Sequence, residues 1–134
     1  NAFIRKYSLK INYFVLSKEK NEVIKLRLNK LRIKCFQGID NKLDFIKNYL
    51  MKEYFEVDIS KRGIIYIGND LNDLESILFS GYTFCPIDSH KIIRDNVNQV
   101  IEIEGGNGFI RKCLEEIMNF DKFTTQEICE LLKY

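Results

Sequence analysis

The sequence carries a single histidine, His90, a single proline, Pro86, and four cysteines with no C-x-x-C pair among them. Cys35, Cys85, Cys113 and Cys129 lie far apart along the chain, and one imidazole has no second to join it at a metal, so a zinc site and a disulfide framework are both disfavoured. Set in or beside apolar runs, the cysteines read as small core hydrophobes. Positive charge is not in excess either. Lys plus Arg total 21 against 19 for Asp plus Glu, a formal net charge of +2 without a polybasic block, so no nucleic-acid footprint is present. Apolar runs such as Gly63–Ile67 fall far short of a bilayer span, and no signal-peptide pattern opens the sequence, so the expectation is a soluble, cytoplasmic protein with no membrane partner. Repeats and low-complexity tracts are absent. What is present is a chain of 134 residues, 46% of them apolar, which suits one compact domain with one core.

Between Asn12 and Ile103 short β-rich runs alternate with stretches of helical period. The runs are Tyr13-Phe14-Val15-Leu16, Ile33-Lys34-Cys35-Phe36, Ile64-Ile65-Tyr66-Ile67, Tyr82-Thr83-Phe84-Cys85 and Val100-Ile101-Glu102-Ile103, which predicts five strands. Helical stripes lie between them: Val23, Leu26, Leu28 and Leu31, then Leu43, Ile46, Leu50 and Tyr54, then Leu71, Leu74, Ile77 and Leu78. The βαβ order implies an α/β fold, a three-layer parallel sheet with helices on both faces in the Rossmann-like manner. The nearly all-apolar strands at Tyr13 and Ile64 are what a sheet covered on both faces requires. Past Gly108 two more amphipathic helices follow, one with Ile110, Leu114, Ile117 and Met118, the other with Ile128, Leu131 and Leu132. Asp121–Thr125 is the joint before the second, since a threonine followed by Glu127 can cap a new helix. Asn1-Ala2 reads as a tag remnant, residues 3–118 as the domain, and residues 119–134 as a C-terminal helical extension.

In open α/β sheets ligands bind beyond the carboxyl ends of the strands, so the residues that follow each apolar run matter most. Four such places are polar: Ser17-Lys18-Glu19-Lys20-Asn21, Gln37-Gly38-Ile39-Asp40-Asn41-Lys42, Gly68-Asn69-Asp70-Leu71-Asn72-Asp73 and Pro86-Ile87-Asp88-Ser89-His90. A hydroxyl, lysines and several carboxylates are the parts that hold a phosphate and a hard cation. Each has a plainer reading. Ser17 can cap the helix that follows, Lys42 can be a solvated charge, Gly68-Asn69-Asp70 can be a turn, and His90 can be a loop or capping residue.

Taken in order, these segments resemble the haloacid dehalogenase-like phosphatases, in the small cap-less branch that includes KDO 8-phosphate phosphatase and the phosphatase-like C-terminal domain of N-acylneuraminate cytidylyltransferases. The resemblance runs from about Phe3 to Met118 and includes Gly105-Gly106-Asn107-Gly108-Phe109-Ile110-Arg111. The Ser17-to-Asn21 segment and Gly68-Asn69-Asp70 look more like the cytidylyltransferase-linked domains, because the phosphatases more often have Gly-Arg after the serine and aspartate in place of Asn69. The resemblance implies that Ser17 donates a hydrogen bond to the transferring phosphoryl group and that Lys42 neutralises it, with Lys18 adding to the phosphate site. It implies Asp70 and Asp73, with Asn69 as a carboxamide, at Mg²⁺, weakened because one carboxylate is missing. It also implies Arg111 as a fork for a substrate carboxylate, closing over a neighbour's site in a homo-oligomer, a tetramer by analogy.

The Asp-x-Asp-Gly segment whose first aspartate forms the family's phosphoaspartyl intermediate does not occur in these 134 residues. The resemblance places it one strand and a hairpin before Phe3, so the expectation is a sheet lacking its N-terminal strand, with an open edge that a partner chain or an oligomer covers. Two functions follow. One is a module of an N-acylneuraminate (CMP-sialic acid) cytidylyltransferase-type protein, joined to an upstream nucleotidyltransferase domain, that serves assembly. The other is part of a Mg²⁺-dependent phosphatase acting on a sugar-acid phosphate such as KDO 8-phosphate or N-acylneuraminate 9-phosphate. A receiver-domain reading fails, because the acidic residues and the lysine stand in the wrong order.

Overall fold

The computed structural model describes residues 11–54 and 63–131. The start of the domain at Phe3 lies outside them. The described residues fall into two compact units, one formed by residues 11–39 and 115–131, the other by Asp40–Leu114.

In the first unit β1 (Phe14–Ser17) and β2 (Lys34–Gln37) form a parallel pair, Ser17 opposite Gln37, with helix α1 (Glu22–Lys30) as the connection. Asn21 starts α1: its Oδ1 accepts from the N–H of Val23 at 2.9 Å and of Ile24 at 3.3 Å, two donors that the first turn leaves unmatched. The helix ends as a Schellman motif, with Ile33 N–H on the Leu28 carbonyl and Arg32 N–H on the Asn29 carbonyl, both at 2.9 Å. The residue in the left-handed position is Arg32, at φ 56°, where glycine is usual. At the other end of the sequence, helix α6 (Thr125–Leu131) follows a short 3₁₀ turn, Phe120–Lys122. A box of Thr124 and Glu127 opens α6, with the Thr124 N–H and Oγ1 on Glu127 Oε2 at 2.7 and 2.8 Å, as the sequence predicts.

The second unit holds the buried core. Strands β3 (Ile65–Ile67), β4 (Tyr82–Pro86) and β5 (Gln99–Ile101) form a parallel sheet in the order β3-β4-β5. Helix α2 (Lys42–Glu53) is capped by Asn41, and α3 (Leu74–Phe79) follows a 3₁₀ turn at Leu71–Asp73. Ile77, Cys85 and Ile93 pack at the centre, with Phe84, Ile101 and the α5 (Phe109–Met118) residues Phe109 and Cys113 also buried. Lys47 of α2 lies 5.5 Å from the centre of the Phe79 ring of α3.

The architecture is the expected α/β one, parallel sheets flanked by helices, and each strand falls within two residues of its sequence position. Two details differ. The strands form two hydrogen-bonded groups, β1-β2 and β3-β4-β5. The amino end of the larger sheet is wet, with Ile65 48% exposed. A four-residue helix, α4 (Lys91–Arg94), also escaped the periodicity, which needs more than one turn to show.

Candidate functional site

The polar site of the larger unit is built around one carboxylate. Beyond β3 the backbone turns at Gly68, whose N–H donates to the Phe84 carbonyl at 3.2 Å. A Cβ at Gly68 would stand 2.8 Å from the Cβ, Cγ and Oδ2 of Asp73, so only glycine lets the turn close over that side chain. The turn aims two amides inward: the N–H groups of Asn69 and Asp70 each donate to Asp73 Oδ2 at 3.1 Å. The other oxygen, Oδ1, accepts from Lys42 Nζ at 2.6 Å and from the Tyr66 hydroxyl at 2.7 Å. Lys42 Nζ also donates to Asn72 Oδ1 at 3.1 Å. A carboxylate has about four acceptor directions, and here each has a donor.

Electrostatics follow from this crowding. Burial pushes the Asp73 carboxyl toward its neutral form, but the hydrogen bonds from Lys42, Tyr66 and the Asp70 N–H, together with the lysine's charge, outweigh it and hold the group below the usual carboxylate range. Burial, and then the neighbouring Asp73 charge, push the Tyr66 phenol far above its ordinary value. Asp73 is therefore the anion, Tyr66 a permanent donor and Lys42 the cation. Lys42 opens α2 and its side chain is 11% exposed, with two of its three N–H groups engaged by Asp73 and Asn72.

Asp73, expected at a metal, thus spends its oxygens on Lys42, Tyr66 and two amides. Asp70 is exposed, but its side chain accepts from the Leu71 N–H through Oδ1 at 2.7 Å and, as the other half of a capping box with Asp73, from the Asp73 backbone N–H, and Asn69 offers a neutral carboxamide. Among the described residues no group of three or more His, Cys, Asp or Glu side chains gathers as a metal cage. A carboxylate already engaged as a helix cap and a neutral carboxamide do not fit a magnesium ion without donors from elsewhere.

The remaining predicted residues are placed as follows. Ser17 ends β1 in the smaller unit, where its Oγ donates to the Glu19 carbonyl at 2.9 Å and its own carbonyl accepts from Ile39 N–H at 3.1 Å. Ser17 does not cap α1, which Asn21 does. Lys18 is exposed in the same loop. Arg111 stands exposed on the first turns of α5, after the loop in which Gly106 and Gly108 take φ of 85° and 92°. His90 is the N-cap of α4, accepting from Ile92 N–H through Nδ1 at 3.2 Å, so its plain reading holds. Asp88 accepts from Gly105 N–H at 2.9 Å, tying the loop after β4 to the loop after β5. Arg94 clamps that first loop through the carbonyls of Ile87 and Ser89, at 2.9 and 2.7 Å. Sequence reasoning missed Tyr66, Asn72 and Arg94. Tyr66 had a signal, as the one polar tip in an aliphatic strand two residues before a glycine turn.

Parallel strands joined through helices, with an ion-paired lysine beyond the carboxyl end of β3, define a Rossmann-like α/β fold with its polar site at the strand ends. No family model matches the sequence. Among solved structures, the chain is similar to a haloacid dehalogenase (HAD) family hydrolase from Streptomyces avermitilis, with 30% identity and a TM-score of 0.73 over 85% of this chain and 66% of that one. It is also similar to the cobalt-bound deoxy-D-mannose-octulosonate 8-phosphate phosphatase from Haemophilus influenzae, with 24% identity and a TM-score of 0.73 over 88% of this chain and 67% of that one. A third is the 3-deoxy-D-manno-octulosonate 8-phosphate phosphatase from Moraxella catarrhalis in complex with magnesium, phosphate and KDO, with 25% identity and a TM-score of 0.68 over 78% of this chain and 60% of that one. The chain has the haloacid dehalogenase-like fold, in the form found in KDO 8-phosphate phosphatases. It spans about two thirds of the length of the structures it matches.

Proposed function

We propose that this chain is the phosphate-holding core of a haloacid dehalogenase-type phosphatase acting on a sugar-acid phosphate. The observation that carries the reading is Lys42, an ammonium fixed by Asp73 at 2.6 Å and Asn72 at 3.1 Å, whose third N–H the reading gives to a phosphate oxygen. The family resemblance, not their placement, assigns a phosphate-directed hydroxyl to Ser17, a charge to Lys18 and a planar carboxylate fork to Arg111. The nucleophilic aspartate comes from outside these 134 residues, as do the donors that complete a divalent-cation site around Asp70 and Asn69. The magnesium, phosphate and KDO held by the Moraxella relative, and the cobalt held by the Haemophilus one, support that cation and that substrate class.

The test is phosphate release from KDO 8-phosphate, N-acylneuraminate 9-phosphate and an aryl phosphate by the parent protein with Mg²⁺. Turnover is expected on a sugar-acid phosphate, with a loss of about 10²-fold or more in Lys42→Ala, the scale for removing one preorganised electrostatic contact. Turnover unaffected by that change would exclude the role given to Lys42. A second reading, the assembly module of a cytidylyltransferase, has its own support in Asn69 and in the engaged oxygens of Asp73, which leave few carboxylates for a cation. It predicts no phosphate release and an oligomer, a tetramer by analogy.

A further inference from the structure

Tyr66 is the one residue of the site that the phosphatase reading does not use. It sits in β3 with its ring packed against the Ile77, Cys85 and Ile93 cluster, and its hydroxyl reaches the same oxygen of Asp73 that Lys42 touches. The two amides beyond Gly68 hold Oδ2, so Asp73 is gripped on both oxygens, by backbone on one side and by the phenol on the other. The backbone grip alone leaves the carboxylate free to pivot about its amide-bonded oxygen, and Oδ1 would then follow the flexible lysine. A rigid aromatic ring anchored in the core removes that freedom.

We propose that Tyr66 is a positioning residue: by donating to Asp73 Oδ1 it fixes the carboxylate, and through it the Lys42 ammonium, in the attitude that leaves one N–H open for the phosphate. The effect is geometric, since the ion pair itself needs only Lys42 and Asp73. Burial keeps the phenol protonated, so the donor is always present. Asn72 is the weaker hold, an exposed side chain at 3.1 Å.

The value of the arrangement for phosphate binding rests on the phosphatase reading, but the positioning of Lys42 is measured without it. Lysine labelled with ¹³C at Cε, with Lys42 assigned by its disappearance in Lys42→Met, shows two distinct Hε shifts and restricted motion when the ammonium is held. In the whole chain, wild-type Lys42 is expected to show both, and Tyr66→Phe to merge the two shifts and bring the mobility to that of the solvent lysines. Asp73→Asn should give the same signature. A Lys42 signal unchanged in Tyr66→Phe, or already averaged in the wild type, would overturn the proposal. Should Tyr66→Phe fail to fold, the wild type still decides, because a hydroxyl bonded to a buried carboxylate gives a protected proton at Tyr66, and a rapidly exchanging one refutes it. Adding inorganic phosphate separates the two readings. If phosphate leaves Lys42 undisturbed while Tyr66→Phe releases it, the phosphate site fails and the positioning role stands. If phosphate shifts the Lys42 signal and Tyr66→Phe leaves Lys42 ordered, the reverse holds.

Discussion

At Arg32 the chain accepts a backbone conformation that suits another residue. With φ of 56° it closes α1 from the left-handed region, where an L side chain costs about 1–2 kcal/mol and glycine almost nothing. Against this, glycine loses more chain entropy on folding, about 0.5–1 kcal/mol. Arg32→Gly should therefore stabilise the protein by about 0.5–1 kcal/mol in a urea titration. Gly68 is the opposite case. A methyl group there meets the Asp73 side chain at 2.8 Å, and that side chain cannot yield without breaking its hydrogen bonds. Gly68→Ala should cost about 1–3 kcal/mol, read in the same titration. Asp73 sets a pH dependence. Its folded pKa lies below the unfolded value of about 3.8, so its contribution is complete above that value and is lost as pH falls through the lower, folded one. The stability gap between wild type and Asp73→Asn should be widest near neutral pH and narrow below about pH 4.

The elements were largely legible in the sequence, the site only in part. Strand runs such as Tyr82-Thr83-Phe84-Cys85 are short, β-branched or aromatic, and bounded by turn residues, and they form β4 almost as written. Helix α2 shows its stripe over three turns. Helix α4 has only four residues, too few for a period, and depends on the His90 cap and on Arg94 reaching back to two carbonyls. The order of Lys42 and Asp73 flagged a charged cradle, but their roles did not follow from order alone. Two carboxylates three residues apart, Asp70 and Asp73, look alike in sequence, and only the turn at Gly68 decides that one faces inward to a lysine and the other outward. The cap of α1 is a similar choice. Ser17 and Asn21 both can cap, and Asn21 does. Asn21→Ala should cost about 1 kcal/mol and Ser17→Ala distinctly less, compared by thermal denaturation.

Across the molecule the buried core belongs to Asp40–Leu114, and the cysteines report on it. Cys85 and Cys113 are fully buried, with burial raising the Cys85 thiol above its usual value, whereas Cys129 is exposed. In an aromatic-disulfide exchange assay Cys129 should react at once, and Cys85 and Cys113 only as denaturant opens the core. Immediate reaction of all four would contradict that core.

Lys42 and Asp73 are 31 positions apart, one opening α2 and the other leading into α3, and Lys47 meets Phe79 further along the same two helices. The ammonium is therefore also a clasp. A small slide of α2 along α3 would part the ion pair before either helix unwound, so the site keeps time with helix packing more closely than with helix content. On gentle heating, the Lys42 signature should fade together with near-ultraviolet ellipticity and ahead of the far-ultraviolet signal, making the loss of the charge clasp an early sign of a core coming loose.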